Sequence, residues 1–108
     1  MFTESDIRKQ TDRGITYIKG YKLYTNGSVL GLDEEYSEED RSCFVAGSVE
    51  GSYGNEYDVS IALDDNEEIK SYSCTCSAFE TYPGMCKHCV ALALEYLYSR
   101  EDPEREEE

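Results

Sequence analysis

The stretch SYSCTCSAFETYPGMCKHCVALALEYLY, residues 71–98, holds four of the chain's five cysteines and its single histidine. Cys74 and Cys76 form a Cys-x-Cys pair. After a spacer of nine residues, Cys86 and His88 form a Cys-x-His pair. Two tight pairs of thiol and imidazole donors supply the four ligands that a tetrahedral zinc takes. In extended backbone, residues two apart point to the same face, so Cys74 and Cys76 can grip one ion from a strand end. Cys86 and His88 open an apolar run with helical periodicity. Residues two apart lie about 200° apart around a helix, so a straight helix cannot aim both at one point. The spacing therefore places Cys86 in the entering loop or at the N-cap, and His88 in the first turn. Pro83-Gly84, between the pairs, is a turn signal that lets the chain double back.

The competing reading is a set of buried or disulfide-bonded cysteines. Disulfides need an oxidising compartment, and no charged-apolar-small leader opens the chain. A bond between Cys74 and Cys76 would close a strained ring. Five cysteines also leave at least one unpaired. Cys89, beside His88, and Cys43, far from the cluster, read as small core residues. Lys87, between two ligands, reads as a counter-charge to an anionic zinc-thiolate group, with contact to a phosphate or a partner as the alternative. Phe79 and Tyr82 sit in the loop that a metal would hold rigid.

Catalysis finds little support. The sole histidine is committed to metal, which leaves no imidazole base for a nucleophile. A catalytic zinc keeps an open fourth position, whereas four donors close this one. A phosphate-binding Gly-Lys loop is missing from the sequence, so any ATPase must lie elsewhere.

The length, 108 residues, fits one domain. Only 39% of residues are hydrophobic, so a metal staple would reinforce a thin core. The 24 acidic residues outnumber the 10 basic ones and give a formal net charge of -14. Duplex DNA repels such a surface as a whole, because affinity for it rests on cations. Distribution qualifies this: Arg8, Lys9, Arg13, Lys19 and Lys22 fall close together, while carboxylates gather at Asp33–Asp40 and beyond Glu101. No run of about 20 apolar residues spans a membrane. The expected location is the cytoplasm, where thiols stay reduced, with nucleoid association as an extension of that expectation.

Working outward, Val90, Ala93, Leu94 and Leu97 repeat at helical spacing and predict a last helix from about Lys87 to Arg100, packed on a sheet. Tyr57, Val59, Ile61 and Leu63 alternate with Asp58, Ser60 and Ala62, the clearest strand in the chain. Asp64-Asp65-Asn66 turns it into a return strand, Ile69–Ser73, which delivers Cys74. Cys43–Val49 alternates less sharply and predicts a central strand. Val29, Leu30 and Leu32 predict a first strand after the Asn26-Gly27 turn. Asp33–Arg41, with six carboxylates, predicts an exposed acidic loop or strand edge. Upstream, Thr3-Glu4-Ser5-Asp6 reads as a helix start over residues 4 to 11. A second helix follows a cap at Thr11 or Asp12, with Tyr17, Tyr21 and Tyr24 at helical spacing and Gly14 and Gly20 as weaknesses. The basic residues fall on the outer face of this helical pair. The fold class is thus α+β: N-terminal helices, an antiparallel three- to four-stranded sheet, and a C-terminal helix nucleated by a zinc site. Residues 1–98 read as a single domain and 99–108 as an acidic linker or tail, as though the chain were part of something longer.

Cys74-Thr75-Cys76, the nine-residue spacer and Cys86-Lys87-His88, followed by Cys89-Val90-Ala91-Leu92-Ala93-Leu94, resemble a SWIM-type zinc finger. More weakly, Arg13-Gly14 with Tyr17, a glycine turn, Val29 and the strand-rich stretch are similar to the segment preceding that finger in bacterial proteins with a Swi/Snf-type helicase ATPase. The resemblance implies one structural zinc on Cys74, Cys76, Cys86 and His88. It also implies a non-catalytic module that contacts protein or DNA, beside a helicase ATPase further along the same polypeptide. Two rival expectations are direct nucleic-acid binding by the basic helices and zinc loop, and a free-standing adaptor that uses the acidic surface. In isolation the domain is expected to be a monomer.

Overall fold

The computed structural model describes residues 2–51, 54–76 and 84–101. Helix α1 (Glu4–Gln10) starts at a capping box: the Thr3 side chain accepts from the Asp6 amide, and the Asp6 carboxylate accepts from the Thr3 amide at 2.9 Å. Helix α2 (Gly14–Thr25) follows after three residues, with Arg13 as its N-cap. Four strands then meander: β1 (Val29–Ser37), β2 (Ser42–Glu50), β3 (Glu56–Leu63) and β4 (Ile69–Cys74), antiparallel in the order β1-β2-β3-β4. Helix α3 (Lys87–Glu101) closes the described chain.

The expected α+β architecture is present, with all four strands. Parity decides which sheet face packs. Cys43, Val45 and Val49 on β2 and Val59, Ile61 and Leu63 on β3 are buried, while Phe44 on the other face is exposed. Register pairs Val45 with Ile61 and Cys43 with Leu63, so these side chains make one apolar surface. β2 is interior to the sheet, as expected, yet only one of its faces is covered.

That covering is α3. Residues Cys89 to Leu94 are all fully buried, so this helix is enclosed on every side rather than on one stripe. The sheet lies on one flank and α2 on the other. Gly20 explains how α2 comes so near. A Cβ there would sit 2.4 Å from Val90 Cβ and 2.8 Å from the Lys87 carbonyl oxygen. The glycine that weakens α2 as an isolated helix is what permits its packing.

Of the two forms expected for the acidic segment, the strand edge holds as far as Ser37: β1 is an edge strand that exposes Asp33 and Glu35, while the Glu34 carboxylate accepts from the Tyr96 hydroxyl at 2.8 Å. The tyrosine stripe of α2 is only partly internal. Tyr17 is buried and Tyr24 half-buried, but Tyr21 and Ile18 are exposed.

Candidate metal centre

β4 ends on Cys74, and its pairing continues past the strand end. The Thr75 amide donates to the Asp58 carbonyl at 3.1 Å, and the Asp58 amide donates to Thr75 Oγ1 at 3.0 Å. These bonds keep the backbone extended through Thr75, so Cys74 and Cys76 share a face, as expected. Cys86 immediately precedes α3 and His88 is the second helical residue, which is the arrangement predicted from the 200° argument. The loop that precedes them is anchored at its end. Gly84 adopts a positive φ of 85° and pairs with Thr11, while the Met85 amide donates to the Gln10 carbonyl at 2.9 Å. A Cβ on Gly84 would meet that carbonyl at 2.6 Å. The α1–α2 turn thus fixes where the second ligand pair enters.

The donor atoms of Cys74, Cys76, Cys86 and His88 all lie within 4.8 Å of one another, and all four residues are buried. Zinc–sulfur bonds of about 2.3 Å and zinc–nitrogen bonds of about 2.0–2.1 Å put tetrahedral S···S and S···N edges near 3.8 and 3.6 Å. His88 Nδ1 lies 3.8 Å from Cys74 Sγ and 3.9 Å from Cys86 Sγ, close to those edges. The imidazole presents Nδ1 to the thiols. Its Nε2, buried and without a hydrogen-bond partner among the described residues, is left to carry the proton of the ligating tautomer. Tyr57 packs its ring against the imidazole, with centroids 4.6 Å apart, and so limits its rotation. The donor set and spacing fit one zinc ion.

The thiols also interact with one another. Hydrogen bonding with Cys74, and then with Cys89, holds the Cys86 thiol well below its usual range. The same bond with Cys86 pushes Cys74 up to about 12. Hydrogen bonds with Cys74 and then Cys86 likewise push Cys89 up. Protein groups alone thus favour a thiolate at Cys86 with protonated neighbours. A divalent cation reverses that preference by attracting every thiolate at once.

Cys89 is fully buried, as a core residue should be, but it is not remote from the cluster. Its Sγ is 3.8 Å from Cys86 Sγ and 3.7 Å from the Ser73 carbonyl oxygen. Its position three residues after Cys86 was the available signal. Cys43 is elsewhere: its Sγ lies 3.2 Å from Glu34 Oε2 and 3.8 Å from the Tyr96 hydroxyl. Lys87 is half-buried beside the ligands. Phe79 and Tyr82 lie outside the described residues.

The family model of the SWIM zinc finger matches residues 57–97, from β3 through most of α3. It therefore spans both ligand pairs and the strands and helix that deliver them. No curated protein and no solved structure matches the chain. A SWIM zinc finger is generally a non-catalytic module. Among the described residues, no helix is long and apolar enough to cross a membrane.

Proposed function

We propose that Cys74, Cys76, Cys86 and His88 hold one structural zinc and that the chain is a zinc-stapled interaction module. The observation that carries this reading is a complete four-donor set with every member buried. Such a site offers no open position to a substrate. The metal's role is mechanical. It ties the end of β4 to the start of α3, and α3 carries the core. Zinc would supply binding energy that here is folding energy, because the donors converge only in the folded chain.

The finer reading is an accessory domain of a Swi/Snf-like DNA-dependent helicase, covering residues 1–98 with 99–108 as an acidic tail or linker, which positions the motor against protein or DNA in the cytoplasm. Its support is the resemblance of the N-terminal stretch, together with the way α1 and α2 pack on the same helix that the zinc anchors. Protein is the better-supported contact. The net charge of -14 opposes a polyanion, and α2 leaves Ile15 and Ile18 about half exposed, at 49% and 51%. The test is to add the zinc-loaded domain to a Swi/Snf-type ATPase from the same cell and measure association and DNA-stimulated hydrolysis. A stable complex with altered hydrolysis supports the accessory role. Full zinc occupancy with neither effect removes the helicase reading and leaves the interaction module standing.

A further inference from the structure

A cavity of about 280 Å³ lies where α2, the Gly84–Met85 segment and the first turn of α3 meet. Arg13, Lys19 and Lys87 border it, with Asp12 as the carboxylate, and Ile15 and Met85 supply apolar wall. Cys76, Cys86 and His88 form its inner side. In a chain where acids outnumber bases by more than two to one, three cations against one carboxylate, among the described residues that line this cavity, reverse the general field. A zinc with three thiolates and an imidazole adds one negative charge, and the rim still keeps a positive surplus. Helix termini reinforce it. The cavity borders the first residues of both α2 and α3; no side chain caps α2, and although the Thr16 amide donates to the Arg13 carbonyl at 3.0 Å, the amides before it have no partner within the helix.

The cavity is held open by backbone rather than by adjustable side chains. The Thr11–Gly84 pairing clamps one end. The close approach of Gly20 to Val90 and to the Lys87 carbonyl fixes α2 against the first turn of α3, and Lys19 and Lys87 both line the cavity. We infer that this cavity binds the phosphorylated side chain of a protein partner. A phosphate monoester carries about -1.5 to -2 charges and three acceptor oxygens, which suits a cavity lined by Arg13, Lys19 and Lys87. The apolar wall at Ile15 and Met85 suits a neighbouring peptide side chain. A continuous nucleic-acid backbone fits less well, since the strand beyond its first phosphate would meet the acidic remainder of the surface.

The inference rests on the zinc reading, because the metal fixes the inner wall. The experiment keeps the two apart. The protein is loaded with ¹¹³Cd in place of zinc, and its cadmium and amide resonances are followed. The probes are a short phosphoserine peptide, the same peptide unphosphorylated, and a 5′-phosphorylated single-stranded oligonucleotide. The phosphopeptide is expected to shift the cadmium resonance and the amides of residues 14–16 and 87 saturably, and the unphosphorylated peptide to leave them unmoved. Lys19→Gln and Lys87→Gln should each weaken binding by about 1.5- to fivefold, the range of an exposed charge pair. Lys19 is solvent-exposed, so its variant folds even if the Lys87 variant does not. Cadmium bound with no shift at roughly 10 mM phosphopeptide, ten times the Kd of a millimolar ligand, overturns the inference alone. Tighter binding of the oligonucleotide than of the phosphopeptide also overturns it. Failure to take up cadmium overturns the zinc reading and this inference with it.

Discussion

Replacing Gly20 by alanine sets two effects of opposite sign against each other. Within a helix, alanine is favoured over glycine by about 1 kcal/mol. Against that, the new Cβ would lie 2.4 Å from Val90 Cβ, 2.5 Å from Val90 Cγ1 and 2.8 Å from the Lys87 carbonyl oxygen. Val90 is fully buried, and a rotamer change cannot move its Cβ. The Lys87 carbonyl belongs to the first turn of α3 and is equally fixed. Overpacking costs about 1–3 kcal/mol, and two immovable neighbours place this site in the upper part of that range. The expected net is a loss of about 1–2 kcal/mol. For a domain of this size each kcal/mol lowers Tm by about 4–8 °C. Gly14→Ala is the control, in the same helix with nothing within 4 Å of its Cβ. Thermal unfolding of the zinc-loaded proteins should show Gly20→Ala well below wild type and Gly14→Ala at or above it. Because Lys87 adjoins two metal ligands, Gly20→Ala should also release zinc to a chelator sooner. A Gly20→Ala protein as stable as wild type would refute the close α2–α3 packing.

Further perturbations separate the parts of the site. Cys76→Ser and His88→Ala should each weaken zinc binding by more than about 100-fold, beyond the 10–100-fold typical of outer partners. Cys89→Ala should keep one equivalent of zinc, and a colorimetric zinc titration distinguishes the three. At neutral pH, zinc binding should release at least one proton, because Cys74 is pushed up to about 12 in the metal-free protein and must ionise to bind. Affinity therefore falls as pH falls, and calorimetry in two buffers of different ionisation enthalpy measures the protons; a count of zero contradicts the coupling. Tyr96→Phe removes a hydrogen bond to Glu34 Oε2 of 2.8 Å and should cost about 1 kcal/mol in denaturant unfolding. An unchanged midpoint would show that this link between α3 and β1 carries no stability.

The convergence of Cys74, Cys76, Cys86 and His88 was legible because thiol and imidazole donors are rare residue types whose spacing has direct geometric meaning. β3 and β4 were legible for a related reason: their alternation matches the pleat, and one face is covered. What escaped depends on distant pairs. Gly20 reads as a flaw in α2 until Val90, seventy residues later, is seen against it. At Asp33–Glu35 the choice between a loop and a strand edge stayed open, because an edge strand can expose carboxylates without penalty. The partial exposure of Tyr21 and Ile18 follows from α2 turning only one narrow face to α3. Tyr57 packing on His88 and the Glu34–Tyr96–Cys43 contacts likewise join residues that no local pattern connects.

Zinc K-edge X-ray absorption of protein purified without added metal tests the closed Cys₃His site most directly. The expected first shell is three sulfurs at about 2.3 Å and one nitrogen at about 2.0–2.1 Å. Four sulfurs would put Cys89 in place of His88. An oxygen ligand would mean an open site, and no zinc edge at all would contradict the metal centre itself.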